Sequence, residues 1–88
     1  MTITSLKGKT VLITGGARGI GKGIARACLQ ERAQVVITNL DVAVGKKTEE
    51  ELSSLGSIRA IRCDGTDRQA VDELMEDVWA NEGPIDVV

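Results

Sequence analysis

The stretch TGGARGIGKG (14–23) decides the fold, because it places glycines in a turn between a short strand and a helix. The preceding residues, KTVLIT (9–14), are mostly apolar and predict the strand. From about Gly19 to Arg32, apolar residues recur at helical spacing and predict the helix. Two different phosphate-binding designs contain a glycine-rich turn at this place, and they imply different chemistry.

Size and composition restrict the chain to one small domain. It has 88 residues, of which 42% are hydrophobic and 27% charged, as is usual in globular proteins. The net charge of −2 comes with no basic stripe, and no apolar run has the ~18 residues of a membrane span, so we expect neither nucleic acid nor membrane as a partner. Cys28 and Cys63 lack the spacing of a zinc site or a disulfide framework. We therefore expect no metal site and a cytoplasmic location.

Strands and helices alternate along the whole chain. Further strands are predicted at 34–38 and 57–63, and a helix at 42–55 carries the pairs Lys46–Glu50 and Lys47–Glu51. Thr66 or Asp67 can cap a third helix, which ends before Gly83-Pro84, and IDVV (85–88) begins a fourth strand. The third helix has an apolar stripe made of Val71, Leu74, Met75, Val78 and Trp79.

This alternation predicts an α/β fold, a doubly wound parallel sheet of Rossmann type (βαβαβαβ) truncated after the start of the fourth strand. Residues 1–88 would be the N-terminal part of a single nucleotide-binding domain. The ligand of such a sheet binds beyond the carboxyl ends of the strands. The turns at 14–21, 39–41 and 63–66 all lie at strand carboxyl ends, so they converge on one crevice and predict a nucleotide site.

The glycine spacing separates the two phosphate-binding designs. GARGIGKG (16–23) departs from the P-loop pattern GxxxxGK[ST] at Gly23, where a hydroxyl should hold Mg²⁺. Gly15, Gly19 and Gly21 suit a dinucleotide instead. The first can take the tight turn, the second lets the backbone approach an anion, and the third allows close packing of the helix. The free N–H groups of that helix would face the pyrophosphate.

The segment TGGARGIG (14–21) resembles the TGxxxGxG motif of the short-chain dehydrogenase/reductase family. CDGT (63–66) is similar to the family's Asp-containing loop near adenine, and GPIDVV (83–88) to the lead into its Asn-Asn-Ala-Gly segment. The resemblance implies an NAD(P)-dependent oxidoreductase that reduces carbonyls or oxidises alcohols by hydride transfer. It also implies a small carbonyl or alcohol substrate and an intact protein that is a homo-oligomer.

The resemblance further assigns individual residues to the cofactor. Asp64 would accept a hydrogen bond from the adenine amino group and Gly65 would offer its backbone N–H, although Asp64 also reads as an ordinary turn or capping aspartate. The family more often has a bulky aliphatic residue where Gly65 stands. The implied cofactor-binding residues are Gly15, Arg18, Gly19, Ile20, Gly21, Asn39, Asp64 and Gly65.

The choice between NADP and NAD depends on the end of the second strand. Relatives that prefer NAD usually have an acidic residue at the position of Asn39, and a carboxylate there would repel a 2′-phosphate by roughly 4 kcal/mol at 4 Å and an effective dielectric of 20. Arg18 matches a basic residue that many NADP-using relatives place against this phosphate, but it also occurs without that role. Leu40 supplies no second cation, and the negative charge of Asp41 lies close by. Both NADP and NAD therefore remain candidates, with NADP slightly favoured.

Catalytic residues cannot be assigned in this chain. The family's reaction uses a Tyr with a nearby Lys, a Ser and an Asn, and these 88 residues contain no tyrosine and stop before the Asn-Asn-Ala-Gly segment. We expect the cofactor-binding portion of an oxidoreductase, a fragment that is inactive in hydride transfer by itself. The alternative is a stand-alone dinucleotide-binding or regulatory module without redox activity.

Overall fold

The computed structural model describes residues 6–15 and 19–86, and these residues form alternating strands and helices. The first three predicted strands and the three predicted helices are confirmed, with boundaries shifted by a few residues. The predicted second helix ends in a separate 3₁₀ turn, and the first helix stops at Gln30 because Arg32 turns the chain with a φ of 66°. The elements are β1 (Thr10–Thr14), α1 (Gly19–Gln30), β2 (Gln34–Asn39), α2 (Val42–Leu52), the 3₁₀ turn Ser53–Leu55, β3 (Ile58–Arg62) and α3 (Arg68–Asn81).

The described strands form one parallel sheet in the order β1-β2-β3. Thr14 aligns with Thr38 and Asn39 with Arg62, so the carboxyl ends of the three strands lie along one rim. The α/β Rossmann-type prediction is thereby confirmed. The predicted fourth strand falls partly on residues 87–88, which lie outside the described residues. Immediately before them, Asp86 exchanges hydrogen bonds with Thr10: its N–H donates to the Thr10 carbonyl and its carboxylate accepts the Thr10 N–H, both at 2.9 Å.

Helices cover both faces of the sheet. Alternate residues of each strand point to opposite faces, so Val35 and Ile37 pack with α1 and α2 while Val36 packs with α3. The apolar stripe of α3 is only half buried: Leu74 and Val78 lie in the core, whereas Met75 is 40% exposed and Trp79 66% exposed.

Aspartates begin the two later helices. The Asp41 carboxylate accepts the N–H groups of Ala43 and Val44 at the start of α2. Of the two residues predicted to cap α3, it is Asp67 that does so, with its Oδ1 accepting from the N–H groups of Gln69 and Ala70 at 3.0 and 3.2 Å. Both capped helix starts lie at the carboxyl rim of the sheet.

The predicted charge pairs on α2 are replaced by different ones among the described residues. Lys46 pairs with Glu49 at 3.3 Å, one residue nearer than predicted, and Glu51 pairs with Lys22 of α1. Lys22 bridges two helices that pack on one face of the sheet, and this contact depends on tertiary structure.

Candidate functional site

A crevice of about 320 Å³ opens at the carboxyl rim, beside α3. Residues following all three strands line it, as the topology of a parallel sheet predicts. The rim residues in its wall are Thr14, Gly15, Asn39, Leu40, Cys63 and Gly65. The site therefore combines three turns that are separated in sequence by about 25 residues each.

The other wall of the crevice is apolar. It is made by Leu12 of β1 together with Val71, Leu74 and Met75 of α3. Leu40 and Met75 stand at the surface, 58% and 40% exposed, on two different elements that border the same opening. An apolar wall opposite a rim of turns suits a ligand with a flat apolar part and a polar part.

Two glycines give the first turn its shape. Gly15 and Gly19 adopt φ values of 66° and 54°, in the left-handed region that glycine enters without steric cost. Among residues 6–15 and 19–86, no atom other than those of the chain neighbours lies within 4 Å of a Cβ placed at either position. α1 begins at Gly19, and its first N–H groups have no partner inside the helix. This open turn fits a diphosphate.

The other residues assigned to the glycine motif are less constrained by the structure. Ile20, in the first turn of α1, is 85% exposed, and Gly21 is half buried. Arg18 lies outside the described residues. The roles assigned to Ile20, Gly21 and Arg18 therefore stay predictions.

Asn39 ends β2 at the edge of the crevice. Its side-chain Oδ1 accepts the backbone N–H of Leu40 at 3.0 Å. Within residues 6–15 and 19–86, its side-chain NH₂ group has no hydrogen-bond partner. Asn39 thus acts as a turn residue through its oxygen and keeps its two N–H donors for a ligand.

Asp64 is held by its own turn. Its Oδ1 accepts from the Thr66 hydroxyl at 2.7 Å and from the Thr66 N–H at 2.9 Å. These hydrogen bonds, with a smaller contribution from the charge of Arg62, hold the pKa of Asp64 below its ordinary value. Cys63 and Gly65 on either side line the crevice. The structure bears out the turn interpretation of Asp64, and its contact with adenine stays a prediction.

The sequence model described as short chain dehydrogenase matches residues 9–88. The chain belongs to the short-chain dehydrogenase family. It is 46% identical over 81 residues to an L-fucose dehydrogenase of Oryctolagus cuniculus, covering 92% of this chain and 28% of that protein. It is 40% identical over 86 residues to a short chain dehydrogenase/reductase of Gibberella zeae, covering 98% and 32%. The chain therefore spans about a third of the length of the curated relatives it matches.

Solved structures of short-chain dehydrogenases share this fold. A metagenomic short-chain oxidoreductase in complex with NADP superposes with a TM-score of 0.88 at 32% identity, covering 96% of this chain and 39% of that one. The Pseudomonas aeruginosa RhlG/NADP active-site complex gives a TM-score of 0.87, also at 32% identity, and covers 94% and 33%.

The described residues also bear on membrane spans and metal sites. None of their helices is long and apolar enough to cross a membrane. No group of three or more His, Cys, Asp or Glu side chains in residues 6–15 and 19–86 is arranged to hold a metal ion.

Cys63 lies in the crevice wall, in the turn 63–66 that the sequence predicts there. Two residues at the rim are not indicated by sequence reasoning. Met75 belongs to the apolar stripe of the third helix, yet it borders the crevice opening. Arg62 ends β3 directly opposite Asn39. The parallel register could have indicated Arg62, because residues that end adjacent parallel strands lie side by side.

Proposed function

We propose that this chain binds the adenosine diphosphate half of a nicotinamide cofactor, as the N-terminal part (1–88) of a single dinucleotide-binding domain in an NAD(P)-dependent oxidoreductase. The observation that carries the proposal is the turn at Gly15 and Gly19. Both glycines are left-handed, both leave open space where a Cβ would stand, and the turn borders a crevice shared by three strand ends.

Each part of the crevice suits one part of the cofactor. The N–H groups at the start of α1 would donate to the diphosphate, whose charge the helix dipole also stabilises by about 0.3–1 kcal/mol. The apolar wall from Leu12 to Met75 would exclude water from one face of the base. The second oxygen of Asp64 and the N–H of Gly65 would meet the polar edge of adenine. Ile20 would pack at the start of α1, and Gly21 would allow close packing of this helix.

When bound, the nicotinamide cofactor would donate a hydride to a carbonyl or accept one from an alcohol. The residues of this chain position the cofactor and do not take part in proton transfer. By resemblance, the Ser, Tyr and Lys that act on the carbonyl or alcohol belong to a catalytic part that these 88 residues do not contain, so we expect the chain alone to be inactive. We also propose a cytoplasmic, homo-oligomeric parent enzyme. In the described residues both cysteines are free, in keeping with a reducing compartment.

We favour NADP over NAD as the cofactor. One acceptor site of the Asn39 oxygen is used by the Leu40 N–H, whereas both N–H donors of the side chain would be available to the ligand. A 2′-phosphate accepts hydrogen bonds only, whereas the two ribose hydroxyls of NAD are also donors and are best met by a carboxylate. Arg18 would add a positive charge. Two structural neighbours, at 32% identity each, are NADP complexes, which supports the same choice.

Calorimetric titration of the 88-residue chain with NADP and with NAD tests this function. We expect saturable binding of both, tighter for NADP, and no change in either affinity on addition of Mg²⁺. Mg²⁺-dependent binding would favour a P-loop mechanism. Failure of both dinucleotides to bind a chain that is folded by circular dichroism would refute the proposal.

A further inference from the structure

Arg62 and Asn39 are neighbours at the rim of the sheet. They are aligned in the parallel register of β2 and β3, and the N–H of Cys63 donates to the Asn39 carbonyl at 3.3 Å. Side chains alternate along a strand, so Arg62 shares its face with Ala60, which packs toward α2.

A small cleft of about 50 Å³ extends from Asn39 on this face. Its charged and polar lining comes from Asn39, Asp41, Lys46 and Arg62. Asn39 also lines the larger crevice, so the two spaces meet at this residue. A group that continues from a ligand in the crevice past Asn39 would enter a cleft with two cations and one carboxylate.

Most charges around Arg62 are already engaged. Lys46 pairs with Glu49 at 3.3 Å, and Asp41 and Asp64 accept hydrogen bonds from their own turns. On the other side of the sheet edge, Asp77 is held by Arg59 at 3.2 Å. No ion pair in residues 6–15 and 19–86 involves the Arg62 guanidinium. It is an exposed cation whose planar set of donors matches a phosphate.

We propose that Arg62 determines cofactor specificity by donating hydrogen bonds to the 2′-phosphate of NADP, beside the side-chain NH₂ group of Asn39. This inference rests on the proposed function, because it needs the base in the crevice and the ribose at Asn39. Arg62 would supply the second cation that is missing at the position of Leu40. The carboxylate of Asp41 in the cleft disfavours a weakly bound anion, so binding there requires the geometry set by the nucleotide.

The test compares two ligands that differ only by the 2′-phosphate, 5′-AMP and adenosine 2′,5′-bisphosphate, in calorimetric titrations of the full 88-residue chain. We expect Arg62→Gln to weaken binding of the bisphosphate about three- to tenfold, since the contact is charge-assisted but exposed to solvent. Its affinity for 5′-AMP should stay within about twofold of the wild type. The loss should shrink as salt is added, because salt screens exposed charges.

Arg32→Gln is the matched control. Arg32 precedes β2 at the opposite rim, so this variant makes the same charge change far from the cleft and should leave both affinities unchanged. Arg62→Lys keeps the charge and most of the stem, and serves if the Gln variant fails to fold. Arg62→Lys should lose part of the preference for adenosine 2′,5′-bisphosphate over 5′-AMP. It should also show a smaller shift of the 2′-phosphate ³¹P resonance on binding.

The outcomes separate the two proposals. If the wild type binds neither nucleotide, the proposed function fails and this inference fails with it. If the wild type binds both nucleotides and Arg62→Gln weakens them equally, or weakens neither, the proposed function stands and the role of Arg62 is refuted.

Discussion

The side-chain oxygen of Asn39 accepts the backbone N–H of Leu40 at 3.0 Å, whereas the NH₂ group of this side chain has no hydrogen-bond partner within residues 6–15 and 19–86. A donor at the end of β2 favours a cofactor that presents acceptors there. The relationship is local, between adjacent residues, and under the proposed function it bears on the preference for NADP over NAD.

Asn39→Asp should reverse the cofactor preference. The substitution is nearly isosteric and its carboxylate can still accept the Leu40 N–H, but it adds a negative charge beside the 2′-phosphate. We expect NADP binding to weaken about tenfold, which corresponds to about 1.4 kcal/mol, and NAD binding to be unchanged or tighter. Paired titrations of wild type and variant with both cofactors measure this. Equal losses for NADP and NAD would mean that the residue only shapes the turn.

Nucleotide binding should protect Cys63 from alkylation and leave Cys28 unprotected. Cys63 lies in the crevice wall, whereas Cys28 packs among α1, β1 and β2 on the other face of the sheet, where burial raises the pKa of its thiol. Both thiols are buried, so both should react slowly with iodoacetamide. Mass spectrometry of the labelled peptides, with and without NADP, gives the two rates. Protection of Cys28 alone, or of neither thiol at saturation, would place the ligand elsewhere.

Arg59 should contribute strongly to the stability of the fold. Its guanidinium donates to both Glu82 oxygens, at 2.9 and 2.8 Å, and to Asp77, which connects β3 to the end of α3. The hydrogen bonds to Glu82 in particular raise the pKa of Arg59 above its ordinary value. Arg59→Met leaves the Glu82 side chain, only 9% exposed, without its cation.

We expect Arg59→Met to reduce the free energy of unfolding by about 2 kcal/mol, since loss of one partner leaves a largely buried charge. Arg68→Met, at the exposed start of α3, is the control and should change stability by less than about 0.5 kcal/mol. Urea unfolding followed by the fluorescence of Trp79 gives both values. A similar change in the free energy of unfolding for the two variants would show that the ion pairs of Arg59 do not contribute to stability.

Acid should destabilise the turn that contains Asp64. Hydrogen bonds from Thr66 hold the pKa of Asp64 below its ordinary value of 3.8 in the folded chain. A carboxylate whose pKa is lowered by folding stabilises the fold at pH values above its ordinary, unfolded pKa. This contribution disappears as the pH falls through the lower pKa of the folded state. Asp64→Asn should therefore flatten the acid side of the stability profile, and Thr66→Val should flatten it partly. Thermal unfolding between about pH 5 and pH 2 measures the slope. A slope identical to that of wild type in both variants would contradict this role.

The strands and helices could be predicted because their residues follow clear periods. Val35, Val36 and Ile37 form a β-branched run that is buried on both faces, and Leu74 and Val78 repeat at helical spacing on the buried side of α3. The convergence of the turns then follows from parallel topology, which places Gly15, Asn39 and Gly65 at one rim.

Contacts between elements could not be predicted in the same way. The pairing of Lys22 with Glu51 depends on how α1 and α2 lie side by side, and helical spacing alone favoured partners within α2. The exposure of Met75 depends on what covers α3, which periodicity does not show. Both hydrogen bonds from Thr66 go to Oδ1 of Asp64, a contact within one turn that the family motif does not show and that leaves Oδ2 for the ligand contact it implies.

The glycine turn is tested by comparing two substitutions in the same helix. Gly19→Val places a side chain at a φ of 54° and fills the open space above the turn, whereas Gly23→Ala adds a methyl group at an ordinary helical position with no atom within 4 Å. Gly23→Ala should keep nucleotide binding and gain about 0.5–1 kcal/mol of stability. Gly19→Val should bind neither NADP nor NAD.

The most direct measurement is an ¹⁵N NMR titration of the 88-residue chain with NADP. We predict that the largest amide shifts occur at the start of α1, from Gly19 to Lys22, and at Gly15, with smaller shifts at Asn39 and Gly65. In Gly19→Val these shifts should vanish while the remaining spectrum stays folded. Saturable binding of NADP that leaves the amides of Gly15 and Gly19 unshifted would contradict the assignment of the diphosphate to this turn.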